Sequence, residues 1–294
     1  MKSYTPDGEA DIERLRAFVR RLPEPAATPD LDEAIQLASV QAATRWWEME
    51  GEIVALAFVD DFNNLRFEIR PDLREGPVPD AVFAWGLACV LARNNQSGER
   101  ATLDASFQSD NKWQIKLLEE YGFERSDLRT LNYARRLDGP LPQARLPDGF
   151  LIQSVSGEEE ADALAALHRA AFGTPYMTAE RRLAIMRAPG YEPALDLLAV
   201  APDGALAAFC ICGVNITGSP KTGYTDPLGT HPKFQRRGLA KALISTGLGL
   251  LKARGVEQAT LGTSNKNLPM QRLAEAAGFA IESEKLWFSL DLPG

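Results

Sequence analysis

Two distant stretches of this chain carry the same pattern, and any fold has to account for both. Near the middle stands NKWQIKLLEEYGF, Asn111 to Phe123, and near the end NLPMQRLAEAAGF, Asn267 to Phe279. Each runs from Asn to a Leu six residues on, a Glu eight on and Gly-Phe at the close. An upstream pair also aligns without a gap: RPDLREGPVPDAVFAWGL from Arg70 and HPKFQRRGLAKALISTGL from His231. The order is the same in both halves, so one unit is written twice with a period of about 160 residues. A chain of 294 residues accommodates two such domains. Between them LDGPLPQARLPDG supplies Pro140, Pro142 and Pro147, which reads as a linker. The expected division is residues 1–139, a linker at 140–147, and residues 148–294.

Composition narrows the function classes. With 45% hydrophobic and 24% charged residues, the chain has the balance of a soluble globular protein. The start, MKSYTPDGEADIERL, has no apolar run of signal-peptide type, and no stretch of eighteen uncharged apolar residues occurs. A cytoplasmic protein without membrane contact is expected. Cys89, Cys210 and Cys212 lie within apolar runs, where buried thiols are expected. With His168 and His231 the only histidines, no metal site is expected. The net charge is −8: the first 146 residues hold 18 Lys and Arg against 25 Asp and Glu, the rest 14 against 15. That argues against nucleic acid as a partner. It makes the second half the better host for an anion, around Lys233, Arg236, Arg237 and Lys241.

The second half reads as an alternation of strands and helices. GFLIQSV is a strand, and GEEEADALAALHRAAFG a helix stopped by Gly173. AERRLAIMRAPG is a second helix, and LDLLAVAPDGALAAFCICGV two strands about a Pro-Asp-Gly turn. GYTDPLGTHP is a strand made irregular by Pro227 and Gly229, which suggests a bulge. A helix from about Gly238 to Arg254 places Leu239, Ala242, Leu243 and Leu250 on one face and ends at Gly255. EQATLGTS is a strand, the Asn267 segment a helix, and FAIESEKLWFSLDL a closing strand pair. The first half follows the same order, with helices near Asp11–Arg21 and Leu31–Thr44.

A strand that feeds a glycine loop and then a helix presents unpaired N–H groups at the positive end of a helix dipole, which is an anion site. The stretch QRRGLA resembles the acyl-CoA loop of the GCN5-related N-acetyltransferase (GNAT) family, matched at Gln235, Gly238 and Ala240. The family's later signature, Asn followed eleven residues on by Gly-Phe, is matched by Asn267 with Gly278-Phe279. The resemblance covers residues 148–294. The first half resembles the same fold, a tandem arrangement like that of mycothiol synthase-like proteins. It implies an α/β fold (mixed α+β): two GNAT-like domains, each a mixed, mostly antiparallel central sheet flanked by helices.

The ungapped alignment sets Gly238 against Pro77 and Ala240 against Pro79. Proline has no N–H to offer. Losing two charge-assisted hydrogen bonds of about 1.5 to 3 kcal/mol each weakens a pyrophosphate by roughly 10² to 10⁴. The first half is therefore expected to be a degenerate copy, and the second the cofactor domain.

What the resemblance implies is transfer of an acetyl (acyl) group from acetyl-CoA to an amine by direct attack, without a metal. It places Leu228, Gly229 and Thr230 beside the pantetheine arm, with one of them donating an N–H to the thioester. Gln235, Arg236, Arg237, Gly238, Leu239 and Ala240 form the phosphate loop, and Asn267 a further cofactor contact. The family's general base falls at Asp226 or Tyr224, the first taking a proton and the second ordering the acceptor or a water. The same offsets in the first half fall on Asn63 and Leu65, neither a useful base. For Asp226 a strand-end carboxylate, for Tyr224 a packing residue and for Asn267 a helix cap are the structural alternatives.

One departure concerns the acid. Where the family often has a tyrosine to protonate the leaving thiolate, this chain has Ala274, with Ser264 and Tyr224 as weak candidates. The acceptor is expected to be a small-molecule or peptide amine, and a homodimer stays open. The alternative reading is a non-catalytic CoA-binding or protein-interaction module.

Overall fold

The computed structural model describes residues 1–23, 31–32, 34–98, 100–215 and 220–292. They form two compact units, Met1–Arg129 with Lys285–Gly294, and Thr130–Glu284.

In the first unit the helix Glu9–Arg21 follows the short strand β1 (Lys2–Tyr4), as expected near Asp11–Arg21. The helix expected over Leu31–Thr44 is interrupted: Leu31, Asp32 and Ala34 are helical, residues 35–37 turn, a second helix runs Ala38–Ala42, and Thr44 already begins β2; Glu33 lies outside the described residues. Strands β1, β2 (Thr44–Met49), β3 (Glu52–Val59) and β4 (Leu65–Ile69) pair antiparallel in that order. The helix Pro77–Ser97 leads to β5 (Leu103–Gln108), and the helix Lys112–Glu120 to β6 (Glu124–Arg136). Phe67 on β4 sits at the centre of the core, edge-on to Phe83, Phe107 and Trp113. Trp46 and Trp47 lie within β2 and are buried.

The second unit runs β7 (Leu151–Ser154), helices Ala161–Phe172 and Ala179–Arg187, β8 (Asp196–Val200) and β9 (Leu206–Ile211). Then follow β10 (Gly213–Val214), β11 (Thr222–Tyr224), β12 (Leu228–Thr230) and the helix Leu239–Ala253. β13 (Gln258–Ser264), the helix Leu268–Ala276 and β14 (Ala280–Leu290) close the chain. Gly173, at φ 68°, ends the first helix, as its position in the sequence suggests. β12, β9, β8 and β7 form an antiparallel sheet. β11 pairs antiparallel with β10 and parallel with β13, and residues 130–136 of β6 pair antiparallel with β13. The long helix buries Leu239, Ala242, Leu243, Ile244, Leu248 and Leu251. Leu250, expected on that face, is only partly buried.

Two sequence readings need correction. GYTDPLGTHP is not one bulged strand but two short strands in different sheets, parted at Thr225–Pro227. The expected closing strand pair is one strand, Ala280–Leu290, because AIESEKLWFSL contains no Gly, Pro or Asn to turn it. The compact units divide the chain elsewhere than at 140–147. Leu131, Tyr133 and Leu137 are buried in the second core with Leu261 and Phe279. Leu286 and Phe288 are buried in the first with Phe107 and Leu118, and β14 pairs with β5 from Lys285 to Leu290. Burial, not the proline-rich stretch, decides the boundary.

Candidate active site

The site begins where two parallel strands part. Tyr224 on β11 is in register with Thr260 of β13, and Thr225 N–H donates to Thr260 O at 3.0 Å. Beyond it the chain turns away through Asp226 and Pro227, and β12 joins β9 instead. Asp226 spans the gap left behind: its Oδ2 accepts the N–H of Gly262 on β13 at 3.1 Å.

β12 is the edge strand of its sheet, and ladder parity decides what its edge offers. Ile211 N–H donates to Pro227 O at 3.1 Å and His231 N–H to Ala207 O at 2.9 Å. Antiparallel pairing alternates, so residues 227, 229 and 231 turn their backbone groups toward β9. The N–H groups of Leu228 and Thr230 therefore face outward. Gly229, one of three expected candidates for a donor to the thioester, is turned to Phe209. Its lack of a side chain serves packing: a Cβ there would stand 2.6 Å from Phe209 Cε1 and 2.9 Å from Ala171 Cβ.

After β12 the loop is shaped by local bonds. His231 Nδ1 accepts the N–H of Lys233 at 3.2 Å, starting the turn Pro232–Phe234. Gln235 Nε2 donates to Thr230 O at 3.4 Å. Arg236 has φ 62°, a left-handed conformation uncommon outside glycine, and Gly238 has φ 86°. Leu239, buried in the core, starts the helix. No side chain caps it. Ala242 N–H donates to Gly238 O at 3.0 Å, so the N–H groups of Leu239, Ala240 and Lys241 precede the first helical bond. The side chains of Arg236, Arg237 and Lys241 are exposed around this helix start. Donors, dipole and cations converge on one place, which suits a phosphate.

Other expected residues have local duties. Asn267 caps the helix Leu268–Ala276 by accepting the N–H of Met270, and Asn111 does the same for Gln114 in the first unit. Ser264 Oγ accepts the N–H of Lys266 at 3.1 Å. Ala274 is fully buried, so that position offers no proton donor. Tyr224 lies directly across from Gly213. Cys210 and Cys212 are buried, their sulfurs 3.7 Å apart, and the hydrogen bond with Cys212, together with burial, pushes the Cys210 thiol up. Among the described residues no group of three or more His, Cys, Asp or Glu gathers to hold a metal, and no helix is long and apolar enough to cross a membrane.

The sequence reading passed over His168. It stacks on Phe209 at 5.3 Å and near Phe172 at 4.6 Å, on the face of β12 where Gly229 packs. Burial, with Arg182 nearby, lowers its pKa to about 4. A lone histidine in an alanine-rich helix carries no motif that would have flagged it.

The first unit shows the same plan closed off. Its turn Pro71–Leu73 matches Pro232–Phe234, but Gly76, at φ 85°, precedes the helix starting at Pro77. The structural partner of Gly238 is thus Gly76, not Pro77 as the ungapped alignment has it, and the loop is one residue shorter. Pro77 and Pro79 still remove two N–H groups from the first turn. β4 is continuous, and its neighbourhood is filled by its own side chains. Arg66 Nη1 donates to Ser106 O and Oγ, both at 2.8 Å, and buried Gln114 donates to Phe67 O at 2.8 Å. At the helix start lies a cavity of about 310 Å³ lined by Glu75, Asp80 and Glu120 besides Arg74 and Lys116. Tyr121 donates to Asp80 there, at 2.5 Å. Three carboxylates thus accompany the two cations here, whereas the loop residues Arg236 and Arg237 and the helix residue Lys241 are all cationic in the second unit.

Parted parallel strands, an open strand edge and a glycine-led helix start define the α/β architecture of the GNAT acetyltransferases. Residues 161–279, within the second unit, match the acetyltransferase (GNAT) family. It is similar to the mycothiol acetyltransferase of Salinispora arenicola, 33% identical over 202 residues, or 66% of this chain and 65% of that protein. It is also similar to that of a Nocardioides species, 28% identical over 294 residues, covering 93% and 95%. The match to the first of these spans just under two thirds of the relative's length. Among solved structures, the tandem GNAT protein from the clavulanic acid biosynthesis pathway superposes with a TM-score of 0.72 at 17% identity, covering 100% of this chain and 99% of that one. The GCN5-related N-acetyltransferase from Sphaerobacter thermophilus gives 0.69 at 21%, covering 100% and 96%. At these identities the likeness is one of fold, including its tandem form.

Proposed function

We propose that the chain is an acyl-CoA-dependent N-acetyltransferase, with its active centre in the second unit and the first a scaffold that holds no cofactor. The observation that carries this is the helix start behind Gly238, with three N–H groups ahead of the first helical bond beside the outward edge of β12. The second unit's residues suit acetyl-CoA: Leu228 and Thr230 offer N–H groups to its pantetheine arm, and Gln235, Arg236, Arg237, Gly238, Leu239 and Ala240 cradle its phosphates. The filled strand edge and the prolines of the first unit support its role as scaffold.

Asp226, at the parting, takes the proton of the attacking amine directly or through a water, while Tyr224 orders the acceptor. The new C–N bond replaces the C–S bond, with an N–H from Leu228 or Thr230 on the carbonyl oxygen. A thiol of pKa about 8.5 leaves without a dedicated acid, consistent with Ala274. Asn267, which caps its helix, adds a cofactor contact only by resemblance. The acceptor is a small-molecule or peptide amine, and the relatives' name makes the acceptor of the mycothiol acetyltransferases the first to try.

The test is calorimetric titration of acetyl-CoA followed by thiol release from it with a panel of amines. One site per chain and amine-dependent release are expected. Binding without release with any amine would favour the non-catalytic CoA-binding module, and absence of binding would overturn both.

A further inference from the structure

Gly213 and Tyr224 face each other on adjacent strands, and one exists at the expense of the other's side chain. A Cβ on Gly213 would stand 2.3 Å from Tyr224 Cζ, 2.3 Å from its hydroxyl oxygen and 2.6 Å from Cε1. Gly213 is not among the residues of positive φ, so its backbone alone does not call for glycine. What calls for it is the tyrosine ring, whose hydroxyl end occupies the space a side chain would take. The ring also packs against the cluster of Phe209, Ile211, Leu198 and Met186. It thus occupies the sheet face covered by the helices Ala161–Phe172 and Ala179–Arg187.

The backbone beneath is pinned. Asn215 N–H donates to Thr222 O at 2.9 Å, and its side chain to Thr222 Oγ1 at 2.7 Å. A Cβ on neighbouring Gly223 would meet Gly213 O at 2.7 Å, so the strands already lie as close as their atoms permit. A methyl group at Gly213 therefore displaces the far end of the tyrosine rather than the strand.

We infer that Gly213 is a positioning residue for the acyl transfer, fixing the ring and hydroxyl of Tyr224, the residue two before Asp226, over its own position on β10. This rests on the transferase reading above. The hydroxyl can order the acceptor only while Gly213 leaves its place open, which makes this small residue a determinant of turnover without touching either substrate.

The experiment compares Gly213→Ala, Tyr224→Phe and the double variant in the full chain. The ring carbons of the six tyrosines are followed by NMR after ¹³C labelling, with Tyr224→Phe assigning the relevant signal. Gly213→Ala is expected to move that signal and leave acetyl-CoA affinity within about twofold. It should lower kcat about tenfold or more with the best amine of the panel, yet less than about twofold in the Tyr224→Phe background, since groups acting as one unit are non-additive. An unmoved signal overturns the geometry. A moved signal with unchanged kcat, or a full further loss in the Tyr224→Phe background, overturns the positioning role. A wild type that binds acetyl-CoA but turns over no amine sinks the transferase reading and this role together, while the moved signal still reports the packing.

Discussion

Ala240→Pro isolates the contribution of one backbone donor at the proposed phosphate loop. Ala240 is the second residue of the helix Leu239–Ala253, and its N–H precedes the first helical bond, Ala242 N–H to Gly238 O. Proline in the first helical turn removes a donor the helix does not use, and Pro269 already occupies the same position of the helix Leu268–Ala276. Gly238→Pro would be a poor probe, since proline cannot adopt φ 86°, and Leu239→Pro would empty a core position. If the Ala240 N–H donates to a phosphate, its loss removes one charge-assisted hydrogen bond of about 1.5 to 3 kcal/mol, or roughly 10- to 150-fold in Kd. Calorimetric titration of acetyl-CoA reads the affinity, and thermal melting checks that the fold is kept. Undiminished affinity in a folded variant would refute the placement of the phosphates at this helix start.

Asp226→Asn keeps an oxygen to accept the Gly262 N–H but cannot take a proton, while Asp226→Ala loses both. Turnover should fall in both variants and acetyl-CoA affinity suffer only in the second; an active Asn variant would show that the carboxylate only braces the parting. Gly229→Ala drives a methyl against Phe209 and Ala171, an overpacking worth about 1–3 kcal/mol, seen as a lowered Tm; an unchanged Tm would contradict the packing described. His168, with its pKa near 4 in the fold against 6.5 when unfolded, takes up a proton in the unfolded chain first. Stability should therefore fall as pH drops from 6.5 toward 4, and His168→Phe should flatten that decline in Tm; parallel curves would count against it. Gln114→Ala leaves Phe67 O without its buried donor, a loss of about 1–3 kcal/mol, and should create no second acetyl-CoA site; two sites per chain would reverse the roles given to the units.

Local signals determined much of this protein from the sequence alone. The duplicated Asn-to-Gly-Phe pattern, the stop at Gly173, the helix from Gly238 and the caps at Asn111 and Asn267 depend on bonds within a few residues, so a linear reading reaches them. The same holds for the proposed phosphate loop, where glycine and basic residues stand together in QRRGLA. What the linear reading lacked was everything settled across strands. Ladder parity with β9 turned Gly229 inward and left Leu228 and Thr230 facing out, a choice set by a partner about twenty residues away. A one-residue difference in loop length shifted the partner of Gly238 from Pro77 to Gly76, which an ungapped alignment misses. Asp226 reached Gly262 only because two parallel strands part beside it. The boundary between units followed burial of Leu131 and Tyr133 in one core and Leu286 and Phe288 in the other, because apolar surface is withdrawn from water wherever a core will accept it and prolines in a connecting stretch exert no such pull.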